Sequence, residues 1–408
     1  MDISFNTSVK KSDHALSAPP LKNTPVDITW VKENIPSVII YKDFDTQDLK
    51  FTQTRILNRR VIQNFDVRIL KNEVYHPNKN AFTVSQKILS ILLNSNVRRG
   101  SLATIAEYLP IIQQNIQSLV DQNLPVQFVL PTLPHKKQNP ITTGHTIDFV
   151  DLGEYLCLQQ LKNIVSSISK VYIHGAKIIL IPDGITLAHL FARNDISSVI
   201  SYKEKLSRII DELRMNNMIE IHDLEDIIVS DNRFHRIKNE IKKILEYLKN
   251  EDSDVSKGIM ILKKAMLFNI PVEHSLEEHI KLMQLPFPLG LKGIEDKIEY
   301  AALEYVSILL TLRKLNLISN AYPQAIRASV HCKNTANIPL NLINDSTQIF
   351  PYNGIPVVKK LKFERNGNIR TSTTILRLFE IYKYSNATEV YIEGQKEPFY
   401  YEIDSLQA

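Results

Sequence analysis

The stretch that decides the fold is Val126 to Glu154, VQFVLPTLPHKKQNPITTGHTIDFVDLGE. Val126-Gln127-Phe128-Val129-Leu130 has the length and residue types of a buried strand. Pro131 and Pro134 cannot continue a central strand, so the strand ends there. Lys136-Lys137-Gln138-Asn139-Pro140 then forms a polar, cationic loop. Helical sequence resumes at Asp151, with Glu154 three residues on in an acidic first turn. A basic loop at the carboxyl end of an interior strand is where open α/β sheets bind ligands. The competing reading is a surface connection whose lysines are simply solvated.

Outward from that stretch the pattern alternates. Thr83 onward and Ser101 to Gln122 have helical periodicity, and so does Leu156 to Ser169. Lys177-Ile178-Ile179-Leu180-Ile181 is a second buried strand, ending at Asp183-Gly184. Asp183 is therefore a second site candidate on the same sheet edge, against the simpler reading of the dipeptide as a turn or cap. Amphipathic helices follow: Ser201 to Met215, Asn232 to Asn250 with a basic outer face, Lys257 to Phe268, Ser275 to Met283 and Ile294 to Asn316. Ala325 to His331 alternates, with Ile326, Ala328 and Val330 on one face and Arg327, Ser329 and His331 on the other. A cation, a hydroxyl and an imidazole on one strand face make the richest constellation in the chain. Asn337 to Ile343 and Ile355 to Phe363 are expected strands, and Val390 to Ile403 a hairpin turning near Gly394.

Composition narrows the function. The chain has 408 residues, 44% hydrophobic and 23% charged, which suits a globular protein of one large or two ordinary domains. Net charge is +5 and spread along the chain; no basic stripe interleaved with aromatics suggests nucleic-acid binding. Only 11 glycines are present, and no GxGxxG, GxxxxGK[ST] or HExxH occurs, against a glycine-rich nucleotide fold. Cys157 and Cys332 belong to no CxxC pair, and free thiols in a reducing compartment are the expectation. The N-terminus lacks an apolar signal core and no run of about 18 apolar residues exists, so a cytoplasmic protein off the membrane is expected. Residues 1–25 read as a disordered tail and residues 26–80 as an N-terminal decoration with strands at Ser37 to Tyr41 and Val67 to Leu70.

Five segments, in order, resemble the isonitrile (isocyanide) synthase family, which shares a superfamily with fungal dityrosine-precursor and formyl-tyrosine enzymes. Leu130-Pro131, Pro134, Lys136 and Asn139, then Asp151 and Glu154, are similar to its LPxxPxKxxN…DxxE pattern. Tyr172 to Gly184 (YIHGAKIILIPDG) is similar to YxPGAxxxxxxDG; Asp195 and Tyr202 fall where the family has a D…Y pair. Tyr322 to His331 (YPQAIRASVH) resembles [YF]PxAIRLSIH. The chain departs from the pattern at Phe350-Pro351-Tyr352-Asn353-Gly354, where the family has Thr-Pro-Trp-His-Gly, and at Lys137-Gln138 in place of Ser-Pro. These departures bear on the choice of amino acid and on activity itself.

The resemblance implies conversion of the amino group of tyrosine or tryptophan to an isonitrile, with the carbon drawn from ribulose 5-phosphate. The amine would attack the sugar ketone to give an imine, and the sugar skeleton would then fragment. Two anionic substrates need cations, and imine formation needs proton carriers. The resemblance implies Lys136, Asp183 and His331 as catalytic, and Asn139, Glu154, Tyr202, Arg327, Ser329 and Asn353 as substrate-binding. No metal ion or organic cofactor is required by this scheme, and a downstream oxygenase is an implied pathway partner. The fold expected is α/β: a Rossmann-like sheet flanked by helices across residues 81–405, with a helical insertion at about 203–320 and a β-rich C-terminal part. The alternatives are an N-formylating enzyme of the same superfamily and a catalytically silent binding relative, which Asn353 in place of histidine favours.

Overall fold

The structure, a computed structural model, describes residues 53–57, 82–136, 143, 148–190, 196–230, 234–250, 292–332, 335–343, 349–363, 369–381, 384 and 386–404. The expected strands at 37–41 and 67–70, the tail, and the helices at 257–268 and 275–283 lie outside the described residues.

In chain order the described elements begin with β1 (Gln53–Leu57), α1 (Val84–Leu92), α2 (Leu109–Asp121), β2 (Val126–Leu130) and α3 (Leu152–Ser169). Next come β3 (Ala176–Leu180), the short α4 (Gly184–Leu187), α5 (Ile196–Glu212), β4 (Ile219–Ile221), α6 (Leu224–Ser230) and α7 (Phe234–Asn250). After them stand α8 (Lys292–Lys314), α9 (Leu317–Ala321), β5 (Ile326–Ser329) and β6 (Ile338–Pro339). The C-terminal part holds β7 (Ile355–Phe363), β8 (Ile369–Leu376), α10 (Leu378–Ile381), β9 (Ala387–Ile392) and β10 (Tyr400–Asp404).

Two five-stranded sheets result. The first has the order β4-β3-β2-β5-β6 and is parallel throughout. Such sheets are covered on both faces, which is why β2 and β3 read as almost continuous apolar runs. Phe128, Leu130, Ile178, Leu180, Ile326 and Ala328 face one cluster, with Leu158, Leu161 and Val165 of α3 and residues of α1 and α2. Val129, Ile179 and Ile181 face the other, under Leu224, Ile227 and Ile237 of the helical layer and Leu315 and Leu317 beside them. The expected Rossmann-like sheet flanked by helices is present, and the β-rich C-terminal part forms the second sheet, β1-β9-β10-β7-β8.

The interval at about 203–320, expected to be a helical insertion, contains β4, which pairs in parallel with β3 at the sheet edge. Ile219-Glu220-Ile221 is three residues long, too short for period-two alternation to stand out. β1 joins the C-terminal sheet by parallel pairing with β9, so this part of the N-terminal region belongs to that sheet. The expected strand at 337–343 shrinks to Ile338–Pro339, plus a bridge between Arg98 and Leu340. Both cysteines are free, and Cys157 is buried. No helix among the described residues is long and apolar enough to cross a membrane. Melting curves with and without reductant are expected to coincide within error; a large drop on reduction would contradict the free thiols.

Candidate functional site

The parallel pairing of β2 and β3 brings their carboxyl ends side by side, with Leu130 opposite Leu180. Ile181 N–H donates to the Leu130 carbonyl at 3.0 Å, so the two loops leave the sheet together. They stay in contact beyond it. A Cβ on Gly184 would lie 2.1 Å from the Pro134 carbonyl oxygen and 2.8 Å from a Val199 methyl. Glycine is required here by close approach of backbone, not by its own dihedrals. Gly184→Ala is expected to cost about 3 kcal/mol or more, at the upper end for overpacking, and a melting temperature within a degree of wild type would refute the contact.

Lys136 ends the described part of the first loop, and its ammonium is fully buried. It lies 2.7 Å from Asp151 Oδ2 and 3.3 Å from Glu154 Oε1, and donates to the Pro351 carbonyl at 2.7 Å. The two carboxylates are held by a helix start. Asp151 caps α3, accepting from Gly153 N–H at 2.7 Å, and Glu154 Oε2 accepts from Asp151 N–H at 3.1 Å. Tyr202 of α5, also fully buried, donates its hydroxyl to Glu154 Oε1 at 3.3 Å. Burial, then the Glu154 charge, pushes the Asp151 carboxyl well up, with Lys136 opposing. Burial, then the Glu154 and Asp151 charges, pushes the Tyr202 phenol well up. The ammonium is therefore met by two carboxylates and a carbonyl, and none of it reaches the surface. Lys136, Glu154 and Tyr202, expected at a substrate, form one closed polar cluster with Asp151.

Asp183 sits half-buried where β3 passes into α4, its backbone carbonyl accepting from Leu187 N–H at 3.0 Å. Its charge is felt by the phenols of Tyr305 and Tyr352. Tyr305 is in the α8 layer, packed with Leu187, Leu190 and Ile308. Leu312 and Ile241 pack against this cluster and also against the one covering Val129 and Ile179.

Arg327 is in register with Val129 of β2, so its side chain leaves the sheet on that same face. Desolvation alone pushes its guanidinium down to about 10. Its Nη1 is buried with no hydrogen-bond partner among the described residues. Ser329 is buried and its Oγ accepts from His331 N–H at 3.1 Å. The expected common face of Arg327, Ser329 and His331 is corrected at its last member. β5 ends at Ser329, so alternation does not carry on to His331. The His331 ring meets Phe350 edge-on at 5.0 Å, and Phe350 belongs to the cluster on the other face of the sheet. Phe350 stacks on Tyr352 at 5.4 Å and carries the Arg99 guanidinium 4.4 Å from its centroid. Asn353 closes the one-turn 3-10 helix Pro351–Asn353, with its Oδ1 buried and lacking a hydrogen-bond partner among the described residues. Asn139 lies outside the described residues.

Sequence reasoning did not single out Tyr305 or Arg99 as site residues. Tyr305 is one member of an apolar helical pattern, and nothing local marks its phenol as one that the Asp183 charge acts on.

Three comparisons bear on this geometry. The family described as pyoverdine/dityrosine biosynthesis protein matches residues 116–366, a span that holds every site residue named above except Arg99. The L-tryptophan isonitrile synthase AmbI1 of Fischerella ambigua is 25% identical over 263 residues, 64% of this chain and 77% of that protein. The L-tyrosine isonitrile synthase of Xenorhabdus nematophila is 24% identical over 248 residues, 59% of this chain and 70% of that protein. Isocyanide synthase A of Aspergillus fumigatus is 23% identical over 283 residues, 67% of this chain and 44% of that protein. The crystal structure of PvcA from Pseudomonas aeruginosa superposes with a TM-score of 0.59 at 19% identity, covering 79% of this chain and all of that one, which establishes a shared fold. With more than half of its length inside the matched span, the chain belongs to the pyoverdine/dityrosine biosynthesis protein family.

Proposed function

We propose that this protein is an isonitrile synthase that converts the amino group of tyrosine or tryptophan to an isonitrile, with ribulose 5-phosphate as carbon donor. The membership of the family and the names of the relatives support the reaction class. The observation that carries the reading to this chain is Arg327: a half-buried arginine whose buried Nη1 has no hydrogen-bond partner among the described residues, beside the carboxyl edge of a parallel sheet. Burying a cation without a counter-charge is costly, and a substrate carboxylate or phosphate would supply one. Its planar fork suits either anion.

In this reading the amine adds to the sugar ketone and water leaves, giving an imine whose sugar skeleton then fragments. Asp183 carries protons. Ser329, two residues after Arg327 on the same strand, and Asn353, whose Oδ1 has no hydrogen-bond partner among the described residues, orient the bound substrates, and Asn139 contributes a further amide. His331 helps with proton transfer from its place against Phe350. Lys136, Glu154 and Tyr202 support the site from behind by fixing the Pro351–Asn353 turn. The enzyme would work in the cytoplasm, in secondary metabolism, ahead of an oxygenase that takes the isonitrile.

The test is incubation of the purified chain with ribulose 5-phosphate and each aromatic amino acid, followed by mass spectrometry. The expected product has gained one carbon and lost two hydrogens relative to the amino acid. A formyl product would instead establish the N-formylating alternative, and no conversion of any of them would refute the proposal.

A further inference from the structure

The proposed reaction has two anions to hold, a carboxylate and a phosphate, and Lys136 is already matched by Asp151 and Glu154. Arg327 can take one of them. A second guanidinium stands past the carboxyl end of β6. Arg99 N–H donates to the Pro339 carbonyl at 2.9 Å, and Arg98 forms an antiparallel bridge with Leu340. Asn341 N–H donates to the Val97 carbonyl at 2.7 Å, and its Nδ2 donates to the Arg98 carbonyl at 3.0 Å. These bonds fix the Arg99 backbone beside the segment that leaves β6. One residue on, the chain presses against the segment that leaves β5, where a Cβ on Gly100 would lie 2.6 Å from Cys332 Sγ.

The Arg99 guanidinium lies 4.4 Å from the centroid of Phe350. That ring also stacks on Tyr352 at 5.4 Å and meets His331 edge-on at 5.0 Å, so it is a fixed platform. Beside it opens a cleft whose lining includes Arg99, Asn341, Ile349, Phe350, Pro351 and Ile375. Its empty space is about 260 Å3 with the open mouth included. Sites that enclose a whole small molecule run to about 300–1,000 Å3, so this cleft takes one end of a substrate.

We propose that Arg99 holds the α-carboxylate of the aromatic amino acid in this cleft, which leaves Arg327 for the phosphate. This rests on the isonitrile-synthase reading and adds to it a residue and the end of the substrate that it recognises. The planar guanidinium fork meets a carboxylate in two places at once. Packing on Phe350 holds the side chain in place before the ligand arrives, which lowers the entropy lost on binding. The walls decide which anion enters. Ile349, Phe350, Pro351 and Ile375 would strip water from sugar hydroxyls and give no hydrogen bond in return. An aromatic amino acid brings a carboxylate for Arg99 and apolar surface for those walls. Burial pushes the Arg99 guanidinium down from its ordinary value, with Tyr352 and Cys332 opposing, so the cation is partly stripped of water already. Arg99 precedes the matched span, and Phe350 stands where the family pattern has threonine, so the motif itself does not describe this contact.

The test is calorimetric titration of the full chain, as wild type and as Arg99→Met. The ligands are L-tyrosine and L-tryptophan, their decarboxylated amines tyramine and tryptamine, ribulose 5-phosphate and inorganic phosphate. Wild type is expected to prefer each amino acid to its amine. Arg99→Met is expected to weaken both amino acids about ten- to a hundredfold, the range for a hydrogen bond to a charged group. The amines and both phosphates should bind as before, so the preference for the carboxylate disappears. Methionine keeps most of the volume over Phe350. Should that variant fail to fold, Arg99→Lys carries the same comparison with a smaller expected loss. Equal weakening of amino acids and amines would mean that Arg99 acts through the packing of Phe350, and would overturn the proposal. A loss confined to the phosphates would overturn it too. Isonitrile formation by Arg99→Met with a wild-type KM for the amino acid would overturn it and leave the functional reading intact. If wild type binds no aromatic amino acid and no ribulose 5-phosphate, the functional reading falls, and this proposal with it.

Discussion

Lys136→Met is expected to lower stability by about 3–5 kcal/mol, the range for removing one partner of a buried ion pair. The loss comes less from the missing attraction than from what stays behind. Asp151 and Glu154 are both fully buried, and without the ammonium they face each other and the Tyr202 phenol in a dry site. The variant's deficit should depend on pH in a defined sense. Asp151 already has its folded-state pKa raised above the unfolded value by burial and by Glu154. Such a group contributes stability that is fully present below the unfolded carboxyl pKa, near 4, and lost as pH rises through the folded value. Removing the opposing cation pushes the folded value further up, so the window widens. The gap in melting temperature between Lys136→Met and wild type should therefore be smallest near pH 4–5 and grow toward pH 8. A gap that shrinks as pH rises would show that the carboxylates find another counter-charge. Tyr202→Phe removes one hydroxyl from the same cluster and should cost only about 1 kcal/mol, the usual net value of a hydrogen bond.

The same cluster separates what the sequence made legible from what it did not. Asp151 and Glu154 three residues apart are a capping signature, and the structure has that box, including the bond from Asp151 N–H to Glu154. The second use of both carboxylates, around Lys136, is a contact between a loop and a helix start 18 residues apart, and periodicity carries no information about it. The third partner, the Pro351 carbonyl, is 215 residues away. Lys136, read as part of a cationic loop at a ligand-binding edge, is a buried cation met by two carboxylates and a carbonyl. The strands behaved differently. Val126–Leu130 was legible because five strand-forming residues end abruptly at proline, and alternation placed Arg327 opposite Ile326 and Ala328. What alternation cannot state is where a strand stops. β5 ends at Ser329, so His331 swings toward Phe350 and away from the Arg327 face.

Arg327→Lys is expected to weaken binding of the substrate anion by about 2–4 kcal/mol, roughly 30- to 1,000-fold in Kd. Lysine keeps the charge but replaces a planar fork by a single ammonium on a flexible stem. Arg327→Met should lose binding further and yet melt higher than wild type when no ligand is present. The reason lies in the apo site. Arg327 is desolvated enough for its guanidinium to be pushed down to about 10, and its Nη1 donates to nothing among the described residues. Its neighbours on that face are Val129, Ile179 and the apolar side chains of the helical layer. A methionine there removes a desolvated charge that no described residue pairs with and keeps most of the volume. Gain of stability with loss of function is the expected mark of a residue kept for its ligand. Thermal melting beside titration with ribulose 5-phosphate, with inorganic phosphate and with tyrosine distinguishes the cases. Weaker binding of the phosphates alone would assign Arg327 to the sugar phosphate, and weaker binding of tyrosine alone would assign it to the amino-acid carboxylate. Lower stability with unchanged binding of all three would make Arg327 part of the scaffold.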